Sequence, residues 1–187
     1  MHADSTASPW ISRWAHLVPA GGAVLDLACG GGRHVRWLVD RGHRLTAVDR
    51  DALALAELAA ACPQAELITA DLEAGPWPLA GRGFDAVVVT NYLWRPLWPQ
   101  LLAALADGGV LLYETFSDGH QHIGRPSRPE FLLRPGELLA VCAGLRVVAF
   151  EDGFEAEPAR FVQRIAAVRE PPGVAQPARY GLARAAG

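Results

Sequence analysis

The sequence predicts an α/β fold: a doubly wound, seven-stranded sheet, mostly parallel with an antiparallel last strand, and with helices on both faces. Three observations predict it. Apolar strand segments alternate with helical segments along most of the chain. The strand segments are continuously apolar, as in the run 87–89, which is typical of parallel strands buried on both faces. The connection between the last two strands is too short for a crossover helix, so these two pair antiparallel.

The first element is a short amphipathic helix near the N-terminus. Ser8 is a favourable N-cap, and Pro9 suits the first helical position. Trp10 and Trp14 recur at helical spacing, and Pro19 ends the segment. We expect this helix, within residues 8–18, to lie over the rest of the fold as a lid.

The remaining elements follow from apolar runs, helical periodicity and the residues that interrupt them. Seven apolar runs are predicted as strands: 23–28, 44–48, 65–69, 84–90, 110–115, 145–150 and 161–168. Four segments with helical spacing are predicted as helices: 33–40, 51–62, 97–106 and 135–143. Gly42, Pro63 and Gly144 end three of these helices, and the turn 107–109 ends the other.

Two segments depart from this alternation. Residues 116–134 form a long insertion without periodicity, and long loops in compact domains are often functional. Residues 171–187 are rich in Ala, Pro, Gly and Arg, and we expect them to form a mobile tail. The predicted organisation is therefore a single domain over residues 1–170 followed by this tail.

Composition and charge exclude several classes of protein. The chain has 187 residues, 17 basic and 20 acidic side chains and a net charge of -3, which disfavours a nucleic-acid partner. Its longest apolar run, 138–145, is too short to span a membrane, and the N-terminus has no secretory pattern. The three cysteines, Cys29, Cys62 and Cys142, are odd in number and too widely spaced to suggest a zinc site or a redox pair. We expect them to be small, buried apolar residues in a reducing compartment. We therefore expect a cytoplasmic protein.

A glycine-rich turn between the first strand and the next helix is the most informative motif. Glycines at 30–32 allow close approach of a ligand to the backbone. Asp49 ends the next strand, 19 residues after Gly30. This is the sequence separation at which an acidic side chain binds the hydroxyl groups of a ribose. The dinucleotide fingerprint is absent, because Val35 stands where its third glycine belongs. Asp26 would repel a pyrophosphate but suits an amino group, so the pattern favours a ligand with an amine, a carboxylate and a ribose.

These residues resemble the class I S-adenosylmethionine-dependent methyltransferases, which have a Rossmann-like fold, over roughly residues 8–170. The small-molecule branch, with tellurite-resistance and ubiquinone-biosynthesis enzymes, is the most similar. The resemblance implies that S-adenosyl-L-methionine is the cofactor and that its site comprises Asp26, Ala28, Gly30, Gly32, Asp49, Arg50, Asp71, Leu72 and Asn91. The family's first glycine is Ala28 here. Asp71 and Leu72 match the adenine-binding positions, and Asn91 matches the position lining the methionine arm.

Glu114 and Tyr92 are the candidate catalytic residues. Glu114 lies in an otherwise apolar strand, where an acid is costly to bury without a role or a partner. It could bind the acceptor or act as a general base, and a structural salt bridge to a nearby arginine is an equal alternative. Tyr92 follows Asn91 after the fourth strand, but this stretch lacks the prolines of the amine-methylating signature.

The insertion and the N-terminal helix are expected to form the acceptor side of the site. The candidate substrate-binding residues are Trp10, Trp14, His120, Arg125 and Arg128. Arginines over a pocket favour a small, anionic acceptor. A solvated loop and simple packing of the two tryptophans are the alternatives. His120 and His122 lack an evident third ligand, so no metal is expected.

The alternatives to a small-molecule methyltransferase also follow from these motifs. A macromolecular acceptor such as tRNA or protein, a non-catalytic S-adenosylmethionine-binding protein, and a nicotinamide oxidoreductase each share part of the pattern. Asp26 and Val35 disfavour the oxidoreductase. We therefore expect a small-molecule acceptor and neither a nucleic-acid nor a membrane partner.

Overall fold

The computed structural model describes residues 6–173, 176 and 178–182, and contains the predicted seven-stranded sheet. The strands are β1 (Ala23–Leu27), β2 (Arg44–Asp49), β3 (Glu66–Thr69), β4 (Phe84–Thr90), β5 (Leu105–Phe116), β6 (Arg146–Ala156) and β7 (Ala159–Val168). Their order is β3-β2-β1-β4-β5-β7-β6. β7 is antiparallel to both of its neighbours, and the other paired strands are parallel, which confirms the predicted fold class. The strand order reverses between β1 and β4, where a crevice opens at the carboxyl edge.

Five short α-helices in the described part of the chain cover the two faces of the sheet. They are α1 (Pro9–Trp14), α2 (Arg33–Val39), α3 (Ala52–Ala61), α4 (Trp98–Ala103) and α5 (Glu137–Val141). Consecutive strand residues point to opposite faces, so Val88 and Leu112 belong to the core under α1, α2 and α3, whereas Val87 and Leu111 belong to the core under α4 and α5. Burial on both faces explains why these strands read as continuous apolar runs.

The junction between α4 and β5 differs from the prediction. The predicted helix 97–106 ends at Ala103, and β5 begins at Leu105 rather than at Val110. The turn residues Gly108 and Gly109 lie inside the strand because their backbone is paired: the Gly108 N–H donates to the Arg169 carbonyl, and the Arg169 N–H donates to the Gly109 carbonyl. The pairing of β4 with β5 shifts register at this irregularity. The glycine-rich segment that predicted a turn therefore lies at an irregularity within the strand.

The insertion is compact, with its two ends joined. The Leu133 N–H donates to the Phe116 carbonyl, and the Asp118 N–H donates to the Leu133 carbonyl. Between them the chain makes two short 3₁₀ turns, His120–His122 and Pro129–Phe131. The insertion is thus a closed loop standing on the end of β5.

Part of the predicted tail contacts the first helical segment. The His16 ring Nε2 lies 2.9 Å from the Gly181 carbonyl oxygen, and Tyr180 packs against the core under α1. Residues 1–5, 174, 175, 177 and 183–187, which belong to the predicted domain and tail, lie outside the described residues. Within the described ranges, no helix is long and apolar enough to cross a membrane.

Candidate functional site

A cleft of about 310 Å³ opens at the carboxyl edge of the sheet, above the ends of β1 to β4. It is lined by Ala28, Asp49, Arg50, Ala70, Asp71, Leu72, Glu73, Asn91 and Tyr92. The lining includes six of the nine predicted cofactor residues and one of the two candidate catalytic residues. Ala70 and Glu73 were not predicted. They flank Asp71 and Leu72, so a wider reading of the segment after β3 would have included them.

The backbone around the cleft adopts conformations that most residues avoid. Ala28 and Asn91 have φ angles of 53° and 54°, the left-handed region that L-residues seldom occupy. Gly30 and Gly32 have positive φ as well. A Cβ at Gly32 would lie 2.4 Å from Leu58 Cδ2 on α3, whereas a Cβ at Gly30 would meet no atom within 4 Å. Gly32 thus allows α2 to pack against α3, while Gly30 leaves open space at the turn.

Asp49 holds the glycine turn in place. Its Oδ2 accepts a hydrogen bond of 2.7 Å from the Gly30 N–H, and its Oδ1 accepts one of 2.9 Å from the Asp51 N–H. An acid at this position could instead cap the following helix, but the N-cap of α3 is Asp51. A carboxylate has about four acceptor positions, and these two bonds leave capacity for ligand hydroxyl groups. The side chain is therefore oriented in advance, at the wall of the cleft.

Asp26 is the buried carboxyl group behind the glycine turn. Its side chain is 1% exposed, and its Oδ2 has no hydrogen-bond partner among the described residues. The pKa of Asp26 is raised to about 7, chiefly by burial; the charge of Arg33 lowers it and that of Asp49 raises it within this net value. An unpaired buried carboxyl oxygen is costly. A ligand ammonium group beside Asp26 would remove that cost, so the residues present fit a ligand with an amine.

The segments after β3 and β4 form the far wall of the cleft. Asp71 Oδ1 accepts hydrogen bonds from the N–H groups of Glu73 and Ala74, which lower the pKa of Asp71. The Tyr92 hydroxyl is buried without a hydrogen-bond partner among the described residues. Burial, with Glu73 and Asp71 nearby, raises the pKa of Tyr92, so this hydroxyl keeps its proton at neutral pH. It is available as a donor to a ligand.

The structure places Glu114 away from this cleft, in a buried ion pair under α1. The side chain is 0% exposed; its Oε2 lies 3.1 Å from Arg164 Nη1 and 3.8 Å from Arg160 Nη2. Its Oε1 accepts a 2.8 Å hydrogen bond from the Ser8 hydroxyl. The sequence predicts either a group that acts on the acceptor or a structural salt bridge, and these contacts are those of a salt bridge. With both carboxylate oxygens engaged, Glu114 is not poised as a general base here.

Trp10 and Trp14 also lie apart from the cleft. Both side chains are almost completely buried in the core under α1, and Trp10 Nε1 donates to the Ile165 carbonyl. Their placement matches simple packing, the alternative to substrate contact. The apolar face of α1 is used to dock the helix, so neither ring is available to a substrate in this conformation.

The insertion residues His120, Arg125 and Arg128 do not line the cleft either. His120 is buried, with its ring Nε2 3.1 Å from the Arg125 carbonyl oxygen. Arg125 is exposed, and no carboxylate of the described chain pairs with it. Arg128 is exposed and pairs with Glu130. A second cavity, of about 440 Å³, lies at the base of the insertion. It is lined by Arg95, Asp118, Pro129, Glu130, Leu132, Leu133 and Arg134.

Two further polar residues at this edge were not predicted as functional. His34 and Ser8 are each 2% exposed, and the Ser8 N–H donates to His34 Nε2 at 3.1 Å. The only sequence signal for Ser8 was its N-cap position, and for His34 its place directly after the glycine turn. Across the described residues, no group of three or more His, Cys, Asp or Glu side chains is arranged to hold a metal ion.

Comparisons with known proteins find one matching domain family and solved structures of the same fold. Residues 24–108, a little under half of the chain, match the family described as a methyltransferase domain. No curated protein matches the chain. The solved structure of TehB from Haemophilus influenzae superposes with a TM-score of 0.72 at 17% identity, covering 90% of this chain and 64% of that one. The chain thus spans about two thirds of the length of TehB.

Two other solved structures are similar over most of both chains. A TehB-like SAM-dependent methyltransferase from Corynebacterium glutamicum has a TM-score of 0.61 and 20% identity, covering 86% of this chain and 87% of that chain. The glycopeptide N-methyltransferase MtfA, complexed with S-adenosyl-L-methionine, has a TM-score of 0.63 and 21% identity, covering 91% and 96%. At these identities the likeness establishes the fold, and the cleft lies in the part of the chain that the domain match covers.

Proposed function

We propose that this chain is a class I S-adenosylmethionine-dependent methyltransferase, and that it transfers the methyl group of S-adenosyl-L-methionine to a small, anionic acceptor. The match of residues 24–108 to a methyltransferase domain supports the proposal. The observation that carries the proposal is that Ala28, Asp49, Asp71 and Asn91, from four separate chain segments, line one cleft. Asp26, whose buried carboxyl group has no partner for Oδ2 among the described residues, precedes Ala28 by two positions. When bound, S-adenosyl-L-methionine supplies an electrophilic methyl group on a sulfonium.

The residues of the cleft would divide the binding of this cofactor among them. Asp26 would accept from the amino group, and Asp49 from the ribose hydroxyls, with its remaining lone pairs. Asp71 and the Leu72 N–H would hold the adenine, and Asn91 would line the methionine arm. Tyr92 would donate its hydroxyl proton in a hydrogen bond. Because methyl transfer to a soft nucleophile needs little acid–base help, orientation and exclusion of water would be the main tasks of the protein.

The proposal for an anionic acceptor rests on the insertion. Arg125 is exposed without an acidic partner among the described residues, and Arg134 lines the second cavity at the base of the same loop. An arginine that is not neutralised by a neighbour can bind a carboxylate or a phosphate in a bidentate way. The insertion stands on the end of β5, at the same edge of the sheet as the cleft.

The test of activity is formation of S-adenosylhomocysteine from S-adenosylmethionine carrying a labelled methyl group. The acceptors offered are a panel of small carboxylates, phenolates and phosphates, with tRNA and a glycopeptide alongside. We expect label in a small anionic compound. Label in the macromolecules alone would contradict the proposed acceptor class. Absence of cofactor binding would contradict the proposed activity.

Asp49→Ala is expected to weaken binding of S-adenosylhomocysteine by about 1–3 kcal/mol, because ligand hydroxyls and the Gly30 N–H both lose their acceptor. Calorimetric titration measures the effect. Asp51→Ala is the matched control: it removes the cap of α3, which lowers stability by about 1 kcal/mol, and leaves the affinity unchanged. Equal affinities for the Asp49 variant and the wild type would refute the role of Asp49.

Arg125→Gln and Arg128→Gln are expected to raise the KM of an anionic acceptor while leaving affinity for S-adenosylhomocysteine unchanged. An arginine contact made equally in the ground and transition states changes KM rather than kcat. The larger effect belongs to Arg125, because the charge of Arg128 is already compensated by Glu130. Steady-state kinetics with the acceptor found in the panel measures both constants. Loss of S-adenosylhomocysteine binding instead would assign the insertion to the cofactor side.

A further inference from the structure

A buried polar junction joins α1 to the sheet edge; we call Ser8, His34, Thr90 and Glu114 the Ser8 junction. The Ser8 N–H donates to His34 Nε2 at 3.1 Å, and the Ser8 hydroxyl donates to Glu114 Oε1 at 2.8 Å. Thr90 Oγ1 lies 3.4 Å from His34 Nδ1. Ser8, directly before α1, thus contacts two other segments of the chain, and Thr90 joins the junction through His34.

The hydrogen bonds determine the protonation of His34. Because Nε2 accepts from a backbone N–H, the ring proton of the neutral imidazole lies on Nδ1, where it faces Thr90 Oγ1. Burial, with Arg33 nearby, lowers the pKa of His34 to about 4, which agrees with a neutral ring. Nε2 of His34 is therefore an acceptor for the Ser8 N–H at neutral pH.

The Ser8 junction is continuous with the cleft. Thr90 precedes Asn91, which lines the cleft and donates its N–H to the Glu114 carbonyl at 2.9 Å. His34 is the second residue of α2, and the N-cap of that helix is Gly32, the last residue of the glycine turn. A displacement of His34 or Thr90 would therefore be transmitted to both walls of the cleft.

Apolar packing alone would not determine where α1 sits. Its residues Trp10, Ile11 and Trp14 bury the helix, but apolar contacts are non-directional. Directional bonds are needed to select one position, and buried polar groups that are fully bonded are a known means of such selection. The Ser8 junction provides them before α1, and the 3.3 Å hydrogen bond from Trp10 Nε1 to the Ile165 carbonyl adds one within the helix. A second anchor at the other end of the helix, Arg13 with Glu151, is solvent-exposed and weak.

We propose that His34 is a positioning residue of the methyl-transfer site. By accepting the Ser8 N–H, it holds α1 against the ends of β4 and β5, and it thereby keeps the glycine turn and Asn91 in the geometry that binds the cofactor. The inference rests on the proposed function for the site that is positioned. Its structural half, the anchoring of α1, can be tested without any ligand.

The test compares His34→Leu with His34→Gln. Leucine fills the space without an acceptor, whereas the terminal amide oxygen of glutamine can replace Nε2. We expect the leucine variant to weaken binding of S-adenosylhomocysteine about tenfold, the effect of losing one buried hydrogen bond, and to speed amide hydrogen exchange in residues 10–14. We expect the glutamine variant to retain affinity within about threefold and to keep slow exchange.

Val35→Ala is the control for a merely structural effect. Val35 is 0% exposed, adjoins His34 on α2 and makes no side-chain hydrogen bond, so this variant should lower the melting temperature without changing affinity or exchange in α1. Wild-type affinity and exchange in His34→Leu would overturn the proposal, as would equal loss of affinity in Val35→Ala or failure of glutamine to rescue. A wild-type protein that does not bind S-adenosylhomocysteine would overturn the proposed function instead, and exchange in α1 would still decide the anchoring.

Discussion

Glu114→Ala is expected to lower the free energy of unfolding by about 3–5 kcal/mol, because it removes the only completely buried carboxylate that pairs with Arg164 among the described residues. Arg164 is 8% exposed, and its remaining partners Glu151 and Glu155 lie towards solvent on β6. Removing the carboxylate also deprives the Ser8 hydroxyl of its acceptor. Urea unfolding followed by tryptophan fluorescence measures the loss, since Trp10 and Trp14 lie in the helix that covers Glu114.

Arg128→Ala supplies the comparison for Glu114→Ala. This arginine also belongs to an ion pair, but it is solvent-exposed, and exposed pairs contribute about 0–1 kcal/mol. Glu114→Gln should lose less than Glu114→Ala, because the amide oxygen still accepts from Ser8 or Arg164. A loss below about 1 kcal/mol in Glu114→Ala would show that the buried pair is not a stabilising contact.

Binding of S-adenosylhomocysteine is expected to weaken about tenfold between pH 8 and pH 6, because Asp26 has a pKa of about 7 in the free protein. A bound ammonium group favours the carboxylate and so lowers the pKa of Asp26 in the complex. Below pH 7 the free protein therefore holds a proton that binding must release, and affinity falls as the pH falls. Calorimetric titrations at intervals across this range measure the effect.

Asp26→Asn separates this effect from other titrations. The asparagine variant should bind more weakly at pH 8 and lose the pH dependence between pH 6 and 8. The pKa of His34, about 4, lies below that range, so its protonation does not contribute. A pH dependence that persists unchanged in Asp26→Asn would assign the titration to another group.

The cleft could be predicted because its parts are local in sequence. Asp49, Asp71 and Asn91 each follow a strand, and the carboxyl ends of parallel strands meet at one edge. The glycine turn carries its own signal, since Gly32 must accept both a positive φ and the close approach of Leu58. The alternation of strands and helices predicts a parallel sheet, in which these segments lie side by side. No long-range contact is needed for that prediction.

The insertion and β5 were predicted less well. Asp107, Gly108 and Gly109 predict a turn between a helix and a strand. Their backbone lies in β5 instead, because it pairs with Arg169, which is far along the chain. The insertion has no periodicity, so nothing local indicates that its ends are joined. Glu130 is only two residues from Arg128, but whether such near neighbours pair depends on the conformation of the loop. Such pairings are properties of the folded loop.

The sequence by itself determined the doubly wound sheet, the glycine turn and the acidic strand ends, since each depends on short-range periodicity and spacing. Only the tertiary structure decided what the Glu114 carboxylate contacts. Its residue type and strand position allowed either a base or a salt bridge, and the antiparallel register that sets Arg164 opposite Glu114 is formed by a strand 50 positions away. The Ser8 junction has the same origin. Burial and pairing of charged and polar groups arise from long-range packing, which local spacing does not encode.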